Sequence, residues 1–187
     1  MHYGNIKWND IANGEGVRVS LFVSGCKNHC PFCFNPETWD FNYGNEFTEE
    51  VENKILDFID KPWINGLTFL GGDPLEIENQ KVVHDFVMRF RARFGDTKNI
   101  WAYTGYLFDK DLVREDGKRH TEYTREILEN IDVLVDGRFV NELKNLSLKF
   151  RGSSNQRIIL TKESLRSNEL VLSPLNEYQN FKPMGTD

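Results

Sequence analysis

Four times along this chain a short apolar run ends in a glycine-bearing turn and gives way to a more polar segment. Val17, Val19, Leu21 and Val23 fall on one face at period two and run into Gly25, which predicts a half-buried strand. Leu67–Leu70 ends in Gly71-Gly72-Asp73-Pro74, Ile100–Tyr103 in Thr104-Gly105, and Asp132–Asp136 in Gly137. Three of the intervening segments carry apolar residues at helical spacing. These are Val51, Ile55, Phe58 and Ile59, behind a Thr48 cap and two acidic residues; Val82, Val83, Phe86, Val87 and Phe90; and Tyr123, Ile127, Leu128 and Ile131. Arg157–Leu160 predicts a fifth strand.

Strands that alternate with helices predict parallel pairing through right-handed crossovers. A complete eightfold barrel takes about 250 residues, and this chain has 187. The expectation is therefore an α/β fold built as a partial, open parallel β/α barrel, one domain over residues 1–187. The segment from Ser173 to Asp187, poor in apolar residues, is expected to be loosely ordered. Ligands of parallel sheets bind beyond the carboxyl ends of the strands, where all four glycine turns fall.

The chain's three cysteines also follow a predicted strand, within the window Cys26-Lys-Asn-His-Cys30-Pro-Phe-Cys33. An odd number of clustered thiols suits metal chemistry better than a disulfide framework. Three thiolates satisfy three irons of a cubane cluster and leave the fourth open, whereas a zinc site would need a fourth ligand, for which His29 within the loop, or His2, His84 or His120 elsewhere, are available. Gly71-Gly72 allows a ligand to approach the backbone closely. Asp73-Pro74 reads equally as an ordinary strand-to-helix turn. At the later strand exits, Arg138 is suited to a carboxylate and Asp136 to ribose hydroxyls, an ammonium or a cation, and both also fit as solvated loop charges.

Composition excludes other classes. The formal charge is −6, with no basic run longer than Lys118-Arg119, so the footprint of a nucleic-acid binder is missing. No apolar stretch approaches the ~20 residues of a membrane span, and residues 1–10 lack a signal-peptide pattern. A cytoplasmic protein without nucleic-acid or membrane partners is expected.

The C-x3-C-x2-C spacing with Phe32 before the last cysteine resembles the radical S-adenosylmethionine superfamily, as does the Gly71-Gly72-Asp73 turn. The stretches at 13–26, 33–39, 66–75, 101–106, 132–139 and 150–157 are similar, in order and spacing, to the activating proteins of anaerobic ribonucleoside-triphosphate reductases. That resemblance implies one 4Fe-4S cluster on Cys26, Cys30 and Cys33, with S-adenosylmethionine on the open iron. It implies Phe32 and Phe34, on either side of Cys33, near the adenine, and Gly71, Gly72 and Asp73 on the methionine part. Thr104, Gly105, Asp136 and Arg138 are further contributors to cofactor binding. Asn155, Gln156 and Arg157 bear on cofactor or partner without a decision between them. The substrate implied is a glycine near the carboxyl terminus of the reductase, and the electron comes from a donor such as flavodoxin or ferredoxin. An activator of another glycyl-radical enzyme, a small-molecule radical enzyme and, from another class, a zinc-stabilised binding module remain open.

Overall fold

The computed structural model describes residues 1–177. Its centre is a seven-stranded sheet with the strands His2–Asp10 (β1), Arg18–Val23 (β2), Asn45–Glu46 (β3), Gly66–Gly71 (β4), Asn99–Tyr103 (β5), Val133–Asp136 (β6) and Arg157–Leu160 (β7). The spatial order is β3-β1-β2-β4-β5-β6-β7. Glu49–Ile59 (α1), Ile77–Phe94 (α2), Thr124–Asn130 (α3) and Thr161–Ser167 (α4) connect or follow the strands. The run β2-β4-β5-β6 is parallel, as the strand–helix alternation predicts.

The flanks differ from the expectation. β7 pairs antiparallel with β6, Asp136 lying opposite Arg157 and Val133 opposite Leu160. No predicted helix stands between these two strands, and the long connection turns back on itself without the crossover that parallel pairing requires. At the other side β1 lies antiparallel to β2 with two register irregularities. Its half-exposed Asn- and Lys-bearing sequence lacks the continuous apolar run of the inner strands. The fold is thus a mixed α/β sheet with a parallel centre and antiparallel edges.

Alternation along the strands sorts side chains to two unlike faces. Val19, Leu21, Val23, Leu67, Phe69, Ile100, Ala102, Leu134 and Ile159 join Ile55, Ile59, Val83, Phe86, Val87, Phe90, Ile127 and Leu128 of the helices in one core. The opposite face carries Trp101, Val133, Val135 and Ile158, together with the polar Arg18, Ser20 and Thr68. Arg18 is fully buried there. Its guanidinium donates to Thr68 Oγ1 at 2.7 Å, Leu67 O at 2.7 Å and Asn99 Oδ1 at 2.6 Å, and lies 5.5 Å from the Trp101 ring. Burial pulls its pKa down to about 10. The helix-free face therefore has a braced floor, with its open part toward the strands' carboxyl ends.

The terminal segment divides in two. Ser173 N–H donates to Ile158 O at 2.8 Å, and Asn176 Oδ1 accepts from Ile158 N–H at 2.9 Å, so residues 173–176 are tied to β7. The rest of the segment expected to be loose, residues 178–187, lies outside the described residues. Among the described residues no helix is long and apolar enough to cross a membrane.

Candidate active site

The cysteine loop leaves β2 at Gly25 and is pinned at its entrance. Gly25 N–H donates to Thr38 O at 2.8 Å and Cys26 N–H to Trp39 O at 3.2 Å. Between these ties the chain turns tightly, with left-handed backbone at His29 (φ 45°) and Phe32 (φ 61°), and Cys33 N–H closes on Cys30 O at 3.1 Å. Such conformations cost non-glycine residues on the order of 1–3 kcal/mol each. The surrounding ties hold the loop in them. Cys30 is buried, Cys26 and Cys33 are half-buried, and all three line one cavity of about 410 Å³ on the helix-free face.

Leu70, Gly71, Gly72 and Asp73 from the end of β4 line the same cavity, as do Tyr103, Thr104 and Gly105 from β5. The two glycines serve the protein's own packing. A Cβ on Gly72 would fall 2.6 Å from Gly25 O and 2.9 Å from Thr38 O, and one on Gly71 (φ 106°) 2.7 Å from Val23 O. Their bareness lets the cysteine loop lie against the β4 turn, a reason that strand-exit position alone does not reveal.

Asp73 is almost completely buried. Its carboxylate accepts from Thr104 Oγ1 at 2.9 and 3.0 Å, Gly105 N–H at 2.8 Å, Leu75 N–H at 3.0 Å and Asn28 Nδ2 at 3.2 Å. Burial pushes its pKa up to about 7 against the pull of the Gly105, Leu75 and Thr104 hydrogen bonds. Asn28 Nδ2 also lies 3.7 Å from Cys26 Sγ. Burial, with the Asp73 charge adding to it, pushes the Cys26 thiol up to about 12. In this geometry Asp73 binds the β5 turn and the cysteine loop together, and Thr104 and Gly105 act through it.

Of the remaining predicted residues, Phe34 and Gln156 line the cavity and the others lie outside it. Asp136 is fully buried but bonded to Arg157 Nε at 2.9 Å and to Phe108 N–H at 2.8 Å, and it does not line the cavity. The Asp136 bond is the first cause of the raised Arg157 pKa. Arg138 is exposed, and its guanidinium donates to Asn28 O. Phe34 lines the cavity, whereas Phe32, 75 % exposed, stands outside it. Of the three residues left undecided, Gln156 lines the cavity and donates to Gly137 O at 3.0 Å, while Asn155 donates to Arg138 O at 2.8 Å.

Glu76 emerges from the tertiary structure without a signal in the sequence. Fully buried just before α2, it accepts from Lys27 N–H at 2.7 Å and Tyr106 O–H at 2.6 Å, and faces Arg119 Nε at 3.1 Å. It ties the residue after Cys26 to α2. Asn79 does similar work from the first turn of α2, its Nδ2 donating to Ser24 O and Asp73 O, both at 3.0 Å.

The donor set fits an iron–sulfur cluster. Thiolates are the ligands such clusters take. A cluster attaches each thiolate to a different iron, so it needs thiols distributed around a cavity, which is the arrangement here. His29, the candidate fourth ligand of a zinc site, lies with its ring tilted against Trp39 at 4.7 Å between ring centres and does not line the cavity.

Residues 12–159 match the family described as a 4Fe-4S single cluster domain. The chain is 41 % identical over 149 residues to the anaerobic ribonucleoside-triphosphate reductase-activating protein of Escherichia coli K12, covering 79 % of this chain and 90 % of that one. It is 39 % identical over 158 residues to the protein of the same name from enterobacteria phage T4, covering 84 % and 93 %. The Haemophilus influenzae protein of that name is 39 % identical over 160 residues, covering 84 % and 97 %. With identity at this level across nearly the whole of these relatives, and three thiols gathered on one cavity within the matched residues, the chain belongs to the family of anaerobic ribonucleoside-triphosphate reductase-activating proteins.

Proposed function

We propose that this chain is a radical S-adenosylmethionine enzyme that activates an anaerobic ribonucleoside-triphosphate reductase. The carrying observation is the convergence of Cys26, Cys30 and Cys33 on one cavity with the β4 and β5 turns, in a chain of this family. When bound, a reduced 4Fe-4S cluster would supply the one electron that splits S-adenosylmethionine into methionine and a 5′-deoxyadenosyl radical, the species that would take a hydrogen atom from a glycine of the reductase. The chain's own residues hold and shield these partners. Cys26, Cys30 and Cys33 ligate three irons. The main chain at Gly71 and Gly72 runs beside the methionine part, while Asp73, with Thr104 and Gly105, keeps the two turns and the cysteine loop in place. Phe34 walls the cavity near the adenine. Arg138 stands exposed at the β6 exit as a cation suited to a carboxylate, and Asp136 bonded to Arg157 braces that exit.

The sheet, helices on one face and cavity on the other, is read as the open barrel of the radical S-adenosylmethionine enzymes. A donor such as flavodoxin or ferredoxin supplies the electron in the reducing cytoplasm. The test is anaerobic reconstitution with iron and sulfide, then electron paramagnetic resonance of the reduced protein. A cubane signal that changes shape on adding S-adenosylmethionine, followed by a glycyl-radical signal when the reductase is added, is expected. Stoichiometric zinc uptake with no such signal would remove the radical chemistry.

A further inference from the structure

A cavity of about 410 Å³ is of the size that takes small molecules. On the activating-protein reading, therefore, only a segment of the protein substrate enters, and the remainder presses on the mouth. The connection from β6 to β7, Gly137 to Gln156, contributes Phe139, Leu148, Phe150 and Arg151 to the cavity lining, and apart from the short turn Asn141–Leu143 it is a long irregular segment of the kind that commonly carries binding residues. Its middle forms a small hairpin: Lys144 bridges Ser153, and Ser154 N–H donates to Leu143 O at 2.9 Å. Leu146 at the tip is 90 % exposed. Facing the hairpin from the cysteine loop is Phe34, 83 % exposed, with Lys144 Nζ 5.9 Å from its ring centre. Leu148, two residues beyond the tip, lines the same cavity as Phe34.

Scattered exposed apolar residues need no explanation, but ones gathered at a cavity mouth mark an interaction site. We propose that the Leu143–Ser154 hairpin, through Leu146 and Leu148, and Phe34 form the docking surface for the reductase, receiving apolar side chains that flank the reacting glycine. The surface is continuous with the cavity in which that glycine must arrive, so one contact both holds the partner and sets the depth of insertion.

The experiment compares reconstituted native protein with Leu146→Glu, Leu146→Met and Trp63→Glu. Trp63 is 56 % exposed and lies just before β4, at the end of the sheet away from the cavity. Affinity for the reductase is measured by biolayer interferometry under anaerobic conditions, and release of 5′-deoxyadenosine is measured without the reductase. Leu146→Glu is expected to weaken binding by about ten- to a hundredfold, the equivalent of leaving one large apolar side chain unburied, with deoxyadenosine release unchanged. Leu146→Met and Trp63→Glu should bind as the native protein does. Native affinity in Leu146→Glu, or deoxyadenosine release falling in step with its binding, would overturn the proposal. Failure of the native protein to bind or activate the reductase would instead count against the activating function itself.

Discussion

Replacing Glu76 by glutamine tests whether the buried contact between α2 and the cysteine loop carries the weight the geometry gives it. The change is isosteric and keeps Oε1 as acceptor for Lys27 N–H and Tyr106 O–H. It converts Oε2, 3.1 Å from Arg119 Nε, into an amide N–H2 facing a guanidinium. The pair has no hydrogen-bond geometry, both atoms lacking a hydrogen-bond partner, so its loss is set by charge pairing at about 1.5–3 kcal/mol, above the roughly 1 kcal/mol of an exposed pair. The side chain of Arg119 is 17 % exposed, so the cost should stay below the roughly 3–5 kcal/mol of breaking a wholly buried pair. For a chain of 150–250 residues each kcal/mol moves Tm by about 2–4 °C, which puts the expected drop at about 3–12 °C. Thermal melts of the cluster-free protein read this directly, and iron retained after reconstitution reads the loosening of Lys27 beside Cys26. Adding Arg119→Leu should restore part of the loss, because the unpaired cation goes with it. A Tm within 1 °C of the native value, or losses in the double variant that simply add, would refute the reasoning.

Gly72→Ala places a methyl group 2.6 Å from Gly25 O; it should cost about 1–3 kcal/mol in urea unfolding and lower iron uptake by shifting the cysteine loop. Thr104→Val removes the hydroxyl that donates to buried Asp73 and should cost about 1.5–3 kcal/mol in the same assay. Burial lowers the pKa of His84, but hydrogen bonds to Asp85 and Glu126 outweigh it and leave it raised. Its stabilisation is then fully present below the unfolded value of about 6.5 and lost as pH rises through the folded one. The native advantage over His84→Gln should be largest below about pH 6, fall as pH rises through the raised folded value, and stay within about 1 kcal/mol, because both partners face solvent.

Spacing along the chain was enough to locate the inner strands, the first three helices and the cysteine loop. Period-two Val17, Val19, Leu21 and Val23, helical Val83, Phe86, Val87 and Phe90, and the C-x3-C-x2-C window are all patterns within a few neighbouring residues, and local backbone geometry reads them directly. The direction of β7 was not legible in this way, because Arg157-Ile158-Ile159-Leu160 looks the same in either orientation and the connection before it decides the pairing. Nor was the division of labour among the acidic residues. Asp73 and Asp136 both stand at strand exits, yet one joins the cysteine loop to β5 while the other is bonded to Arg157. Glu76 carries no motif and becomes the anchor of Lys27, 49 positions away, because the fold of β2 beside β4 brings α2 under the loop. A buried charge takes its role from whichever distant donors reach it, and only tertiary packing determines which those are.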